Sequence, residues 1–368
     1  MDCYWNSLGA LPASDEIEVT LLGPGYGESV VVHLGNGEWL IVDSCIDTTH
    51  PERPVAPLHY LRKLGVNAEQ AVKLIVASHW DDDHVQGMAE IVEKCPNAEF
   101  VCSKVFAQRD FARFVEAMSC NSVMADGANV ENIRRVLHYL NKHKKPIKQP
   151  IPGRILRSQP AVMCWSPSDF DSDEFLAVVA NMHPKATESI RKPVSTSSNL
   201  TSVVLTIKWD SCSVLLGADM EKSKDSRRGW AAVTKEANAF SNSPIYSPSD
   251  LVKIPHHGSS SGEDSRMWTS MLAEKPISIL APFGRGDLKG RPPTSTDVGR
   301  IKKKSKALFI TSRHRISKKP GRDLAVERCI REGQIILTSQ KIPIGIVRHR
   351  RMPGSDWRSE LFGSAFQA

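Results

Sequence analysis

The chain has 368 residues, 40% of them hydrophobic and 24% charged. That is room for one large domain or two ordinary ones around a sizeable core, with the balance of a globular protein. No apolar run approaches the ~20 residues of a membrane-spanning helix. Met1-Asp2-Cys3-Tyr4-Trp5-Asn6 lacks the basic and apolar regions of a secretory signal, so a cytoplasmic protein with no membrane partner is expected. The eight cysteines include no C-x-x-C pair, which argues against a zinc ribbon or a redox dithiol and for reduced, mostly buried thiols. The net charge of +7 is uneven: residues 285–351 carry 19 Lys+Arg against 5 Asp+Glu, a local +14, so the rest sums to −7. A basic block beside an acidic remainder points to a polyanionic partner, nucleic acid being the commonest. A solvated Lys-rich surface is the alternative, and charge alone does not choose.

Taken in chain order, Ile17 to Leu22, Ser29 to Leu34 and Trp39 to Asp43 read as strands broken by Gly-rich turns. Pro57 to Leu64 has helical spacing, Val72 to Ala77 is a buried strand, and Val85 to Glu93 returns to helical spacing. The middle is more helical, clearest over Phe106 to Met118 and Val130 to Lys142, and residues 183–200 are polar and loop-like. Strands resume at Ser202 to Trp209 and Ser213 to Leu216. Strand, helix, strand alternation follows over Leu251 to Pro255, Glu263 to Leu272 and Ile277 to Pro282. Asp297 to Lys304 is expected to be a helix, with Ala307 to Thr311, Gln334 to Ser339 and Pro343 to Arg348 as strands. No linker divides the chain, so residues 17–350 are expected to form one layered α/β domain with a helical insertion over about 103–198. Residues 1–16 are an N-terminal extension and 351–368 a tail without strong pattern.

Chemistry-bearing residues sit at three strand ends. His79, Asp81, Asp83 and His84 fall within six residues directly after an apolar strand. Two imidazoles with carboxylates suit a divalent cation, because the carboxylates cancel its charge and the imidazoles add nitrogen donors. Three consecutive carboxylates repel one another unless a cation neutralises them. A solvated acidic turn capping a helix through Asp81 or Asp83 is the alternative, and it leaves the flanking histidines unexplained. A second strand ends on Gly217-Ala218-Asp219, and a third on His256-His257-Gly258-Ser259.

The block His79 to His84 resembles the HxHxDH signature of metallo-β-lactamase-fold hydrolases. The order of motifs resembles the hydrolase domain of the competence DNA-uptake proteins: Gly25-Tyr26-Gly27-Glu28-Ser29, Leu40 to Ser44, the His79 block, Asn199-Leu200-Thr201-Ser202, Gly217-Ala218-Asp219, His256 to Ser259 and Gly290-Arg291-Pro292. This resemblance implies the αββα sandwich, two mixed β-sheets packed face to face with helices outside. It further implies two divalent metal ions, His79 and Asp81 holding one, Asp83, His84 and either His256 or His257 the other, and Asp219 bridging. Asp43, Glu28 and Asn199 match positions that orient ligands; His183 lies where a further ligand could stand, though Asn199 fits the pattern better. Two departures matter. Asp81 stands where the signature has histidine, which hardens the site toward Mn²⁺ or Mg²⁺ over Zn²⁺, and Arg291 stands where the last motif has histidine, a cation suited to a phosphate or developing oxyanion.

Asp83, Asp219 and Arg291 are then the expected catalytic residues of a metallohydrolase. The superfamily acts on β-lactams, thioesters, lactones, sulfates and phosphodiesters, and a shared centre does not choose among them. The motif order, the basic block and the hard ligand set favour a nuclease or phosphodiesterase acting on DNA or RNA, in DNA processing or antiphage defence, with a partner protein where it serves a multi-component system. Lys302, Lys303, Lys304, Lys306, Arg313 and Arg315 are the expected contacts to the nucleic-acid backbone. The alternatives are a small-molecule ester, thioester or lactone hydrolase and a non-catalytic nucleic-acid-binding module with a degenerate metal site.

Overall fold

The computed structural model describes residues 3–25, 27–103, 105, 128–181, 198–283, 291–313 and 343–368. The expected helix from Phe106 and strand from Gln334, together with His183 and Arg315, lie outside these residues.

The strands are β1 (Ile17–Gly25), β2 (Gly27–His33), β3 (Trp39–Val42), β4 (Val72–Ala77), β5 (Glu99–Cys102), β6 (Ile147–Lys148), β7 (Ile155–Ser158) and β8 (Ala161–Cys164). They continue with β9 (Leu205–Trp209), β10 (Cys212–Leu216), β11 (Ser249–Lys253), β12 (Leu272–Leu280), β13 (Ala307–Ile310), β14 (Gly345–Arg351), β15 (Arg358–Gly363) and β16 (Phe366–Gln367). They form two mixed eight-stranded sheets, ordered β15-β14-β1-β2-β3-β4-β5-β6 and β16-β13-β12-β11-β10-β9-β8-β7.

Strand periodicity decides the layers. In the first sheet Val19, Leu21, Val30, Val32, Leu40, Leu74 and Val76 pack against Ile207, Val214, Leu216, Leu251 and Ile279 of the second, forming the inner core. The alternate residues turn outward. Val31, Ile41 and Ile75 meet the helices Ala56–Lys63 and Met88–Lys94, and Leu215, Val252 and Leu280 meet Gly229–Ala239 and Ser265–Ser270. Each fully buried Val, Leu or Ile contributes roughly 1.5–3 kcal/mol of transfer free energy. The result is the αββα layering expected above.

Three boundaries differ from expectation. Residues 103–198 are not simply an insertion, since β6 extends the first sheet and β7 and β8 the second. The tail supplies an edge strand to each sheet, β15 pairing with β14 and β16 with β13. The N-terminal extension is docked: Arg348 donates to the Leu8 carbonyl at 2.6 Å and Arg350 to that of Ala10 at 2.8 Å, while Tyr4 and Trp5 donate to buried Asp47.

Parallel pairing of β3 with β4, of β10 with β11 and of β11 with β12 brings the carboxyl ends of these strands to one rim of the sandwich. Loops leaving that rim carry Asp43, the His79 block, Asp219 and His256-His257. Crevices outside strand carboxyl ends are where α/β sheets bind ligands.

Candidate metal centre

Three buried histidines present the same nitrogen to one volume. His79 donates from Nδ1 to Ser78 Oγ at 3.0 Å, His84 from Nδ1 to Asp43 Oδ2 at 2.8 Å, and His257 from Nδ1 to the Ala281 carbonyl at 3.0 Å. With Nδ1 committed, each Nε2 faces the centre. Asp219 meets two of them: Oδ1 lies 3.4 Å from His84 Nε2 and Oδ2 lies 3.4 Å from His257 Nε2. Asp83 Oδ2 is 3.0 Å from His257 Nε2 and 4.0 Å from His84 Nε2. One set of ligand atoms, from His79, His84 and Asp219, lies within 4.8 Å of one another, and so does a second, from Asp83, His84 and His257.

His79 Nε2, His84 Nε2 and Asp219 Oδ1 are buried and have no hydrogen-bond partner among the described residues. An unsatisfied buried polar atom costs roughly 1–3 kcal/mol, and three around one volume fit a cation that all of them can ligate. The donor set, imidazole with carboxylate, suits a divalent metal ion.

The charge balance agrees. Glu28, Asp43, Asp81, Asp83 and Asp219 bring five carboxylates to the rim, and Lys253 one ammonium. With neutral imidazoles these groups are strongly anionic together, a charge that divalent cations would offset. Burial opposes charge on His84, yet Asp219, Asp43 and Asp83 hold its pKa well above the imidazole value. Burial likewise opposes charge on His257, which Asp219, Glu28 and Asp83 raise to about 9. Asp219, despite complete burial, is held well below the carboxylate range by His257 and His84, and Asp83 is lowered chiefly by His84. A cation that takes these nitrogens displaces protons, so its uptake strengthens as pH rises.

Backbone geometry supports the arrangement. Asp43, Ala218, His256 and His257 all lie in the left-handed region, with φ of 59°, 44°, 47° and 49°. Such strain collects where surrounding structure holds functional groups in place. Gly27 has φ of 101°, and a Cβ there would stand 2.1 Å from the Asp83 carbonyl oxygen, so only glycine brings the Glu28 strand this close.

Among the expected residues, His79, Asp83, His84, Asp219 and His257 converge. Asp81 joins at the open side, its Oδ2 3.8 Å from His79 Nε2 and its Oδ1 accepting from Ser198 Oγ at 2.7 Å. Its side chain is 44% exposed, which leaves room for a ligand to exchange. We expect Asp81→His to raise the Zn²⁺-to-Mn²⁺ affinity ratio by about tenfold, the scale of single changes around a metal. Competition titration measures it, and an unchanged ratio contradicts the hard-ligand argument. Asp43 accepts from His84 Nδ1 and also from the backbone and hydroxyl of Ser78, the latter two both at 2.7 Å.

His256 does not join the centre. Its Nδ1 lies 2.9 Å from both Glu221 Oε1 and Ser261 Oγ, and Asn199 Nδ2 is 3.5 Å from its Nε2. Of the histidine pair, the second therefore faces the metal volume, and Asn199 belongs with His256, Glu221 and Ser261 beside it. Arg291 reaches the centre through an aromatic: its guanidinium sits 4.8 Å over the Phe283 ring, which meets His257 edge-on at 5.4 Å.

The basic residues split. Lys302, Lys303 and Lys304 end the helix Ser295–Lys304, and the Lys306 amide donates to the Pro276 carbonyl. Because β12 and β13 run parallel, Ile277 beside Ala307 and Leu280 beside Ile310, this places Lys306 at the strand starts. Four residues of strand span about 13 Å, so Lys306 stands well below the rim, whereas Arg300 and Ile301 of the preceding helix meet Gly258 beside His257. Lys304 is also committed to Glu263. They do not gather at the centre. Arg313, just past the carboxyl end of β13, is on the rim side, where its guanidinium lies over Phe366.

Lys253, Glu221, Ser261 and Phe283 were not singled out from the sequence. Lys253 left a signal: a charge at the end of β11, two residues from inward-facing Leu251 and so on the same face.

No family model and no curated protein matches the sequence. Among solved structures, the metallo-β-lactamase fold protein YhfI from Bacillus subtilis aligns with a TM-score of 0.40 and 13% identity, over 83% of this chain and 98% of that one. The hydrolase AbOPH of the β-lactamase superfamily aligns at 0.37 and 14%, over 63% and 84%. A metallo-β-lactamase family protein from Thermus thermophilus aligns at 0.34 and 17%, over 61% and 69%. Likeness this loose carries no argument about activity. The strand pairing and side-chain geometry stand by themselves: an αββα sandwich whose strand ends bring a His/Asp cluster together in a form that fits divalent cations.

Proposed function

We propose that the protein is a metal-dependent hydrolase acting on phosphodiesters, with nucleic acid as its substrate class. The observation that carries the hydrolase reading is the convergence of three histidine Nε2 atoms and Asp219 on one buried volume, with His79 Nε2, His84 Nε2 and Asp219 Oδ1 unpaired among the described residues. His79, Asp81, Asp83, His84, Asp219 and His257 would hold the ions. Bound there, divalent ions supply Lewis acidity and an activated water.

The chain's own residues do the rest. Asp43 and Ser78 fix the tautomers of His84 and His79. Phe283 covers His257 and carries Arg291, whose guanidinium can pair two oxygens of a phosphoryl group. The anionic ligand set with Asp81 suits ions that tolerate phosphate oxygens, and the motif order resembles a DNA-handling branch. A strand held at the centre would run past Arg291 and Arg313, and Lys302, Lys303 and Lys306 would serve only a longer duplex.

The test is hydrolysis by purified protein of single- and double-stranded DNA and RNA, of bis-nitrophenyl phosphate, and of an uncharged ester, with Mn²⁺, Mg²⁺ or Zn²⁺. Arg291→Ala should lower kcat/KM for the phosphodiester by about 10–100-fold, the worth of a charge-assisted hydrogen bond, and change it little for the uncharged ester. Equal losses on both would remove Arg291 from phosphate recognition. Faster turnover of the uncharged ester by the parent would favour the small-molecule reading.

A further inference from the structure

Lys253 is 2% exposed, and its ammonium lies among the groups of the metal centre, where so far it has entered only as a charge. The residue ends β11 on the inward face, and Glu28 enters from β2 of the opposite sheet, so their ion pair joins the two sheets beneath the centre. The same ammonium donates to the Ala218 carbonyl at 3.0 Å and stands 3.6 Å from Asp219 Oδ1. Ala218 holds a left-handed backbone with φ of 44°, so this hydrogen bond restrains the strained turn from which Asp219 projects. Glu28 Oε2 is buried without a hydrogen-bond partner among the described residues, 3.6 Å from His257 Nδ1.

A buried lysine is costly without compensation. A nearby apolar side chain would support the β11–β2 contact equally well, so packing does not call for the charge. The ammonium does three things that an apolar group cannot: it holds the Ala218 carbonyl, pairs with the Glu28 carboxylate, and offers Asp219 a fixed neighbouring cation.

We propose that Lys253 is the positioning residue of Asp219, a built-in cation that holds this carboxylate and its strained turn in the orientation that joins the two ligand sets. The proposal rests on the metal-centre reading. It assigns Lys253 no contact with substrate; its effect passes through Asp219.

The experiment is Mn²⁺ titration of the full chain, followed by calorimetry and by the electron paramagnetic resonance of bound Mn²⁺. Lys253→Met should weaken uptake of at least one ion by about 10–100-fold, the range for residues that orient metal ligands, and remove the spectral signature of coupled ions. Because Lys253→Met strands the Glu28 charge, the paired variant Glu28→Gln with Lys253→Met, which leaves no unpaired charge, should show the same loss with an intact fold by circular dichroism. A thermodynamic cycle separates positioning from general support. In an Asp219→Asn background, Lys253→Met should cost no further affinity. Parent-like binding of two coupled ions by the paired variant, or full additivity in the cycle, overturns the proposal. A parent that takes up no Mn²⁺ overturns the metal-centre reading itself and the proposal with it.

Discussion

Asp83→Ala should lower phosphodiester hydrolysis by three orders of magnitude or more while leaving the metal-free protein folded but less stable than the parent. The loss follows from the several kcal/mol that metal chemistry supplies, each 1.4 kcal/mol being about tenfold in rate. The lost stability follows from pairing. Asp83 Oδ2 lies 4.0 Å from His84 Nε2 and 3.0 Å from His257 Nε2, and these histidines keep it charged despite its burial, so its removal forfeits that attraction. Only the backbone of Asp83 meets Gly27, and that is retained. Turnover with Mn²⁺ and thermal unfolding in chelator measure the two halves. Activity within tenfold of the parent would remove Asp83 from the centre.

The largest effect on folding should come from the far side of the first sheet. Glu18 is fully buried and accepts from Arg350 Nε at 2.6 Å, Tyr60 at 2.6 Å and Thr20 at 3.0 Å, while Arg348 donates to Tyr60 at 3.2 Å. Burial and Glu18 together push the Tyr60 hydroxyl far above its ordinary pKa, so it remains a donor. Glu18→Ala leaves buried Arg350 uncompensated, and breaking such a pair costs about 3–5 kcal/mol. Glu18→Gln, which can keep some of these bonds, should cost less. Urea unfolding at constant slope measures both. A loss below about 1 kcal/mol for Glu18→Ala would mean that the network is screened by water.

What the sequence reveals of this site follows from how local each feature is. His79 to His84 are legible because ligand types recur within one loop after one strand, and Asp219 and His257 because each follows an apolar run. The choice between His256 and His257 is not local. It depends on the Ala281 carbonyl taking Nδ1 of one and on Glu221 and Ser261 taking the other. Lys253 is half legible, since strand parity turns it inward but only the opposing sheet supplies Glu28. The lysines after Arg300 enter through a charge count alone, which is blind to strand direction, and parallel β12–β13 pairing sets Lys306 below the rim. The tail hides its strands for another reason: β15 is an edge strand, largely exposed along its length, so it has no apolar alternation to read.

The central claim is that the strand-end residues of the two sheets hold divalent ions together. Anomalous scattering from crystals grown or soaked in Mn²⁺ tests it most directly. The account predicts two peaks, each within about 2.0–2.4 Å of its ligands, one against His79 and Asp81, one against Asp83, His84 and His257, with Asp219 reaching both. Peaks away from Asp219, or a centre that stays without metal while Mn²⁺ binds elsewhere, would contradict it.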